Sequence, residues 1–594
     1  KGGYGSSIFG GGGVMMTTDQ GDNWYRIMDQ TPLGWSNKMV KILQSEQNQN
    51  RWYLATEKGL FVLENVFNLG SLTSQQKMAN LIIYDAEVFQ WGGTEHLALT
   101  VLDRAAEHWR LEISTDGGVT FTSYVLPVSG RFAAIERGPD NSNLIHLKTS
   151  SSRNEYDFYT FDLVTQTFST PTIVDLGGTN NKTFGWGRAF AVSPQSDDYI
   201  MFSRALGYGI TTDRFLTPPS LTYYHPDLHD DKEHIVFHPD QSTHPNEVWM
   251  ATHGGVNKSI NGGNTWTDKS SGLGVAQTLG MADAYSEEGL SLLGNDHEGS
   301  LLTQTPYSNS WEPVWSNRKT ADAQIPVIDY SDPKYMWVNI GNYGIYYLSS
   351  DYGSTFPTSI SSDEWKCHMI QNKVDPAKIY WNDQGQLFRS FARGLSPKQI
   401  TNFSLSIYDF SGGARIDRSY ASHDQNIIYV EVRDLATDED RLFINTDINN
   451  SSIITVQENW QEIDVPRHKY ITDVEVSPTN PYEIYIAHST GYLFSPTGQG
   501  SELFFEVKID PIDPELPPSV TDLTGNLPAL SCGVDFGSII ALEKGSNGGI
   551  YFGTNMGVYY HNNFMFDTGE PFWEIHGTGF PNVRVSGVEI NYRV

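Results

Sequence analysis

Histidine and carboxylate side chains are concentrated between residues 225 and 238, where His229, Asp231 and His234 lie within six residues of one another. Imidazole nitrogens and carboxylate oxygens are common ligands of divalent cations. These three residues, with Asp296 farther along the chain, are therefore candidate ligands for a cation such as calcium. The spacing H-x-D-x-x-H matches no established ligand pattern, and hydrogen-bonded packing of a loop explains the same residues. Both interpretations stay open.

The sequence lacks the familiar catalytic motifs. It contains no G-x-S-x-G elbow, H-E-x-x-H motif, G-x-x-x-x-G-K phosphate loop or Cys-x-x-Cys pair. Its 39 basic and 70 acidic residues give a formal net charge of −31. Nucleic-acid binding and adsorption to anionic membranes both need a basic face, and no Lys/Arg cluster is visible. We therefore expect no nucleic-acid partner, no membrane insertion and no cofactor other than a divalent cation.

A turn motif of the form S-x-D-x-G-x-T-aromatic recurs along the chain. Complete copies begin at Ser114 and Ser349, and weaker copies begin at Thr17, Ser259 and Asn445. Side-chain oxygens of such residues bond to backbone N–H groups in a tight turn, and glycine permits positive φ. The motif therefore predicts a structural turn rather than a catalytic site. Its acidic or amide position is occupied by Asp19, Asp116, Asn261, Asp351 and Asp447.

This repeat resembles the Asp-box, also called the BNR repeat, of sialidases, sortilin-type receptors and two-propeller xyloglucan hydrolases. In those families the motif joins the outer two strands of a β-propeller blade. The segment from His225 through Gly263, continuing to Asn295-Asp296-His297, is similar to a block found in large Bacteroidetes surface proteins exported by type IX secretion. The resemblance implies a propeller fold and an extracellular or outer-cell-surface location.

A second repeat, in phase with the first, predicts the rest of the blade. A strand, a turn ending in glycine and another strand recur, as in 52–61, 248–259 and 550–557. The period of roughly 43 to 66 residues fits a four-stranded blade. We therefore predict an all-β fold of two tandem seven-bladed β-propellers, over residues 1–320 and 321–594. A single ten-bladed propeller is the alternative.

Both ends of the sequence read as truncated. Lys1 is not an initiator methionine, and residues 583–591 read as an inner strand whose partner strands are missing. Residues 2–13 are candidates for completing that blade, and we expect the chain to belong to a longer polypeptide or surface assembly. Cys367 and Cys532 can pair only if the fold brings them together.

The resemblance to xyloglucan hydrolases supplies a specific catalytic test. Their two catalytic aspartates lie in a D-x-G-G turn, one in each propeller, and glycoside hydrolysis needs one carboxyl group as acid and another as base. This sequence departs from that pattern, because Gly11 and His253 stand at two of the corresponding turns. Glu57 and Asp383 are the carboxylates that remain at such turns. They are the candidate catalytic pair, with solvated turn residues as the alternative.

Propeller rims also bind glycans, by stacking sugar faces on aromatic side chains beside polar groups. We therefore predict an extracellular or cell-surface module for recognition, adhesion or scaffolding of glycan or protein ligands, without catalytic activity. A polysaccharide hydrolase of the xyloglucanase type is the alternative. The candidate ligand-binding residues, chosen for their loop-like sequence context, are Trp186, Arg188, Tyr208, Tyr223, Tyr224 and His253. Packing between blades is the alternative for the aromatic residues among them.

Overall fold

The computed structural model contains two compact units, Lys1–Val275 and Ala276–Val594. The sequence analysis places the boundary after residue 320. In the structure it falls one four-stranded sheet earlier. In the described part of the chain the one helical element is a 3-10 turn, Leu69–Ser71, and no helix there has the length and hydropathy needed to cross a membrane. The structure describes residues 14–19, 23, 25–28, 39–79, 81–103, 108–127, 130, 132–150, 155–176, 189–204, 207–222, 225–229, 231–271, 277–296, 298–306, 314–319, 322–340, 345–360, 369–383, 385–400, 414–434, 439–449, 460–465, 471–488, 503–514, 516–527, 539–543, 548–554, 557–567, 569–577, 585 and 587–590.

The first unit consists, over its described residues, of antiparallel sheets that follow one another along the chain: β1–β2, β3–β6, β7–β10, β11–β15, β16–β19 and β20–β23. Its strands are β1 (Val14–Met16), β2 (Tyr25–Met28), β3 (Met39–Gln44), β4 (Trp52–Thr56), β5 (Gly59–Glu64), β6 (Thr73–Lys77), β7 (Ile82–Trp91), β8 (Thr94–Asp103), β9 (His108–Ser114), β10 (Thr122–Val125), β11 (Ala133–Arg137), β12 (Leu144–Thr149), β13 (Glu155–Asp162), β14 (Thr167–Phe168), β15 (Thr172–Asp175), β16 (Phe190–Ser193), β17 (Ser196–Ser203), β18 (Tyr208–Thr211), β19 (Ser220–Thr222), β20 (Lys232–Phe237), β21 (Val248–Thr252), β22 (Gly255–Ser259) and β23 (Thr267–Asp268).

The second unit repeats this plan in its described residues, with four-stranded sheets β24–β27, β28–β31, β32–β35, β36–β39, β40–β43 and β44–β45–β46–β49, and a small hairpin β47–β48. Its strands are β24 (Gln277–Asp283), β25 (Leu290–Asp296), β26 (Gly299–Gln304), β27 (Ser316–Lys319), β28 (Val327–Ile328), β29 (Met336–Ile340), β30 (Ile345–Ser349), β31 (Thr358–Ile360), β32 (Met369–Gln371), β33 (Ile379–Asp383), β34 (Gln386–Ser390), β35 (Lys398–Gln399), β36 (Ala414–Ala421), β37 (Ile428–Asp434), β38 (Glu439–Asn445), β39 (Gln461–Ile463), β40 (Ile471–Val476), β41 (Glu483–His488), β42 (Phe504–Lys508), β43 (Ser519–Asp522), β44 (Ile539–Leu542), β45 (Ile550–Thr554), β46 (Gly557–His561), β47 (Phe566–Asp567), β48 (Glu570–Pro571) and β49 (Glu574–Ile575).

The turn between the second and third strands of a sheet explains the glycine of the second repeat. Gly59, Gly255 and Gly557 begin β5, β22 and β46 with φ values of 117°, 118° and 112°. A Cβ atom at Gly59 would lie 2.5 Å from the carbonyl oxygen of Met78. Because only glycine adopts this backbone conformation readily, the repeat reports a backbone requirement. The strand–turn–strand unit predicted from the sequence is confirmed at these three places.

Hydrophobic cores lie between neighbouring sheets within each unit. Leu111 and Ile135 belong to a core between the β7–β10 and β11–β15 sheets, and Leu442 and Val474 belong to one between the β36–β39 and β40–β43 sheets. Successive side chains of a strand point to opposite faces, so a sheet with apolar residues on both faces can pack on two neighbours. Truncating such a buried side chain to alanine costs about 2–5 kcal/mol.

The first strands of consecutive sheets lie beside one another. β3, β7, β11, β16 and β20 are successive neighbours in the first unit, and β24, β28, β32, β36, β40 and β44 are successive neighbours in the second. Several of these strands contain a bulge near their start. The register shifts between Ile83 and Asp85 in β7 and between Lys232 and His234 in β20. A bulge bends the strand and redirects side chains, so the bulged positions have their own side-chain directions.

Candidate functional site

The S-x-D turns are structural elements of the hairpins that join the third and fourth strands. In the turn between β9 and β10, the hydroxyl of Ser114 donates to Asp116 Oδ1 at 2.8 Å, and Asp116 accepts the N–H of Thr120 at 2.9 Å. Hydrogen bonds from Thr120 lower the pKa of Asp116 to about 2. Asp351 repeats the arrangement in the turn between β30 and β31, where it accepts the N–H of Thr355 at 2.8 Å. All of these contacts are local, which is the structural role that the motif predicts.

Asn261 and Asp19 form equivalent contacts, whereas Asp447 lies in a reduced copy. Asn261 Oδ1 accepts the N–H of Thr265 at 2.9 Å, and Asp19 accepts the N–H of Asn23 at 2.9 Å. In the reduced copy the N–H of Asp447 donates to the side chain of Asn445. The aspartate position therefore tolerates an amide where the acceptor oxygen is retained.

The structure adds a turn of the same kind that the sequence analysis missed. Thr211 donates to Asp213 at 2.9 Å, and Asp213 accepts the N–H of Thr217 at 3.0 Å. Arg214 and Phe215 occupy the glycine positions with φ values of 53° and 64°. The T-x-D-x-x-x-T spacing in the sequence indicates this turn. It was missed because the glycines of the motif are absent.

The candidate functional site lies where β20 begins and where β21 turns into β22. Asp231 precedes β20, Glu233 is the residue skipped by the register shift in β20, and His253 lies in the turn before Gly255. Nδ1 of His253 is 3.8 Å from Oδ2 of Asp231, and Nε2 is 3.3 Å from Oε1 of Glu233. One imidazole ring therefore lies between two carboxylates. We call Asp231, Glu233 and His253 the Asp–His–Glu site.

Backbone geometry holds this site in place. Asp231 has a φ of 57°, a left-handed conformation that is uncommon for a residue other than glycine, and its carbonyl accepts the N–H of His253 at 3.3 Å. A Cβ atom at Gly254 would lie 2.7 Å from Cβ of His229, so glycine permits His229 to pack closely against the turn. The buried Lys232 donates to the carbonyl of His229 at 3.0 Å. Unusual backbone conformations of this kind are concentrated at functional sites.

The Asp–His–Glu site is accessible to solvent and can carry out proton transfer. The side chains of His253, Asp231 and Glu233 are 15%, 16% and 27% exposed. An imidazole within reach of two carboxylates can relay a proton between them or orient one of them.

A second group of charged residues lies on the first strands of the first unit. Nζ of Lys41 is 3.4 Å from Asp85 and also contacts Glu87. Burial raises the pKa of Glu136 well above its ordinary value, and the neighbouring Glu87 adds to the effect. Burial also raises the pKa of Glu87, although Lys41 opposes the change. The group therefore places one lysine among three carboxyl groups.

The sequence-predicted catalytic residues lie at strand turns in different units. Glu57 is half-buried in the turn between β4 and β5 of the first unit, and Asp383 is the last residue of β33 in the second unit. Their role as a catalytic pair stays a prediction. The sequence analysis overlooked Glu233, because no motif marks a carboxylate at a bulge.

The predicted ligand-binding residues have diverse positions. Tyr208 is 2% exposed and donates its hydroxyl to the carbonyl of Gly263 at 2.6 Å, so it belongs to the core and not to a ligand-binding rim. No signal in the amino-acid sequence marks the Gly263 turn as its neighbour in space. His253 lies at the Asp–His–Glu site. Trp186, Arg188, Tyr223 and Tyr224, like Cys367 and Cys532, lie outside the described residues.

The predicted metal ligands lie on different elements. His229 and Asp231 lie near His253, His234 is exposed on β20, and Asp296 ends β25 in the second unit. Their role as cation ligands stays a prediction. Among the described residues, the group of three whose potential ligand atoms all lie within 4.8 Å of one another is formed by His238, His244 and Glu247.

Comparison with known proteins identifies the fold. No family model and no curated protein matches the chain. The structure is similar to a GH74 enzyme of Niastella koreensis, with a TM-score of 0.53 and 14% identity over 95% of this chain and 81% of that one. It is also similar to the GH74 xyloglucanase of Xanthomonas campestris, with a TM-score of 0.54 and 13% identity over 96% of this chain and 91% of that one.

These similarities establish an all-β propeller-type fold, as the sequence predicted. They also correct the functional prediction. These two solved structures are described as GH74 enzymes, which contradicts the prediction of a non-catalytic recognition module and favours the hydrolase alternative. At 13–14% identity the similarity concerns the fold, and the chemistry has to be argued from the residues of this chain.

Proposed function

We propose that this chain is a glycoside hydrolase that acts on a polysaccharide of the xyloglucan type. The observation that supports this proposal is the fold similarity to two GH74 enzymes over 95% and 96% of the chain, one of them described as a xyloglucanase. The substrate is then a neutral polysaccharide outside the cell, and the partner is a glycan rather than a nucleic acid. The strongly acidic surface is compatible with such a substrate, because a neutral glycan is not repelled by it.

Asp231 and Glu233 are the acid/base pair in this proposal. Hydrolysis needs one carboxyl group that protonates the leaving oxygen and one carboxylate that activates water. The two residues flank His253 and are partly exposed. His253 is the positioning residue, since its ring contacts both carboxylates. By the sequence resemblance, it also stands at the turn that corresponds to a catalytic aspartate of the xyloglucan hydrolases, which supports the choice of this site.

The test is incubation of the whole chain with xyloglucan, mixed-linkage β-glucan and carboxymethylcellulose, followed by measurement of reducing ends. We expect release from xyloglucan, and we expect Glu233→Gln and Asp231→Asn each to lower kcat at least about 100-fold, the usual size of a general acid or base contribution. Asparagine also tolerates the left-handed backbone at position 231, so the fold should be retained. Proton NMR of the anomeric product should report inversion.

Glu57→Gln and Asp383→Asn are matched controls, because they remove the two turn carboxylates that the sequence favours. Unchanged turnover in these variants supports the assignment of the Asp–His–Glu site. Turnover that is lost in these variants and kept in Glu233→Gln would leave a hydrolase with a different catalytic pair. Absence of reducing ends from all three glucans would contradict the proposed function itself.

A further inference from the structure

The loop that joins β20 to β21 brings two histidines and one glutamate together. His238 follows β20, Glu247 precedes β21, and His244 lies between them in the loop. The ring centroids of His238 and His244 are 3.9 Å apart with an interplanar angle of 36°. Nδ1 of His244 is 3.2 Å from Oε2 of Glu247. We call these three residues the His–His–Glu group.

The distances in this group are those of neighbouring metal ligands. Zinc binds imidazole nitrogen and carboxylate oxygen at about 2.0–2.1 Å, so two ligand atoms of a tetrahedral site are roughly 3.3 Å apart. The 3.2 Å between His244 and Glu247 agrees with that spacing, and one ligand atom from each of the three residues lies within 4.8 Å of the others. Only a small adjustment of the His238 ring is then needed to bind one ion.

The backbone of the loop can orient His238 for this purpose. Nδ1 of His238 accepts the N–H of Asp240 at 3.1 Å and is 3.2 Å from the carbonyl oxygen of the same residue. An imidazole that binds a metal through one nitrogen usually donates the N–H of the other nitrogen to a carbonyl or carboxylate oxygen. Binding of a metal through Nε2 therefore requires the tautomer in which Nδ1 donates to the carbonyl of Asp240 in place of accepting its N–H, because only that tautomer has a lone pair on Nε2.

Glu247 supplies a buried carboxylate. It is 4% exposed, and Nζ of Lys258 lies 2.8 Å from its Oε2 while Nε1 of Trp249 donates to its Oε1 at 2.9 Å. Each carboxylate oxygen has two lone pairs, so Glu247 can bind a cation and keep one of these partners.

We propose that His238, His244 and Glu247 form a binding site for a transition-metal ion of the zinc class, which cross-links the two ends of the β20–β21 loop. Two imidazoles and one carboxylate favour Zn²⁺ over Mg²⁺ or Ca²⁺, which prefer all-oxygen sites. A fourth position is taken by water. The site is separate from the Asp–His–Glu site, because it lies at the opposite ends of β20 and β21.

Isothermal titration of the whole chain with ZnCl₂ tests the proposal. We expect one high-affinity Zn²⁺ per chain, no comparable binding of Mg²⁺ or Ca²⁺, and a Tm that rises with Zn²⁺ concentration, because a metal that binds the folded state stabilises it. His244→Ala should weaken Zn²⁺ binding at least about tenfold. The side chain of His244 is 46% exposed, so this variant should fold even if Glu247→Gln does not.

His234→Ala is the matched control, because it removes a histidine that is exposed on the adjacent strand β20 and lies outside the group. Its Zn²⁺ affinity should stay within about twofold of the parent chain. Lack of Zn²⁺ binding by the parent chain would overturn the proposal. Equal binding by His244→Ala, or an equal loss in His234→Ala, would assign the binding to scattered surface histidines and overturn it as well.

Discussion

Asp283 donates its backbone N–H to the carboxylate of Glu589 at 3.0 Å, although 306 residues separate them in the sequence. Asp283 ends β24, the first strand of the second unit. Near Glu589, the N–H of Val585 donates to the carbonyl of Thr554 in the last four-stranded sheet at 2.8 Å. The C-terminal segment therefore contacts both the first and the last four-stranded sheet of its unit. The residues described there form no strand, and residues 2–13, the candidates for completing its blade, lie outside the described residues.

Glu589→Ala should destabilise the second unit, because it removes the acceptor of the Asp283 N–H. We expect a loss of about 1 kcal/mol in the free energy of unfolding, the usual contribution of one such hydrogen bond. Glu589→Gln is the control, since its amide oxygen still accepts the bond. Urea denaturation measures the stability of both variants. Equal midpoints for the alanine variant and the parent chain would argue against a stabilising role of the Asp283–Glu589 contact.

Asp351→Ala should lower the free energy of unfolding by about 1–3 kcal/mol. The N–H and the hydroxyl of Thr355 both donate to Asp351, so the substitution removes the acceptor of two hydrogen bonds. Asp351→Asn should retain most of the stability, as Asn261 does in its own turn. Differential scanning calorimetry gives the comparison. A Tm of Asp351→Ala equal to that of the parent chain would refute the stabilising role of the turn.

Asp473→Ala should lower the free energy of unfolding by about 2–3 kcal/mol. The carboxylate of Asp473 accepts the N–H of Val474 at 3.0 Å and the N–H of Ile540, on the first strand of the following sheet, at 2.9 Å. Asp85 makes the same pair of contacts in the first unit. Glu475→Ala, two residues along β40, breaks a part-exposed ion pair with Lys373 and should cost less than about 1 kcal/mol. Similar losses of stability in Asp473→Ala and Glu475→Ala would contradict a special role for Asp473.

Glu136→Gln should raise stability increasingly as the pH rises. The folded state raises the pKa of Glu136 above its ordinary value of 4.5, so its stabilising contribution is complete below about pH 4.5 and is lost as the pH rises through the folded pKa. The Tm of Glu136→Gln should match the parent chain near pH 4.5 and exceed it by a few degrees at pH 8. Lys41→Met should destabilise at pH 8, because it removes the cation beside Asp85 and Glu87. A pH-independent Tm difference for Glu136→Gln would contradict the assignment.

Local features could be predicted from the sequence because they depend on neighbouring residues. The S-x-D turns use contacts within four residues, and the glycine of the strand–turn–strand repeat is required by a single φ angle. Strand alternation follows from the two-residue period of a β-strand. These features determined the all-β fold and the order of the sheets along the chain.

The tertiary structure alone decided which side chains meet. The bulge in β20 sets the direction of Glu233, and stacking of neighbouring sheets buries Tyr208 against Gly263. These outcomes depend on register and on packing between segments distant in the sequence, where a shift of one residue turns a side chain to the other face. The sequence by itself determined the turns and strands; the packing of sheets decided where their side chains form a site.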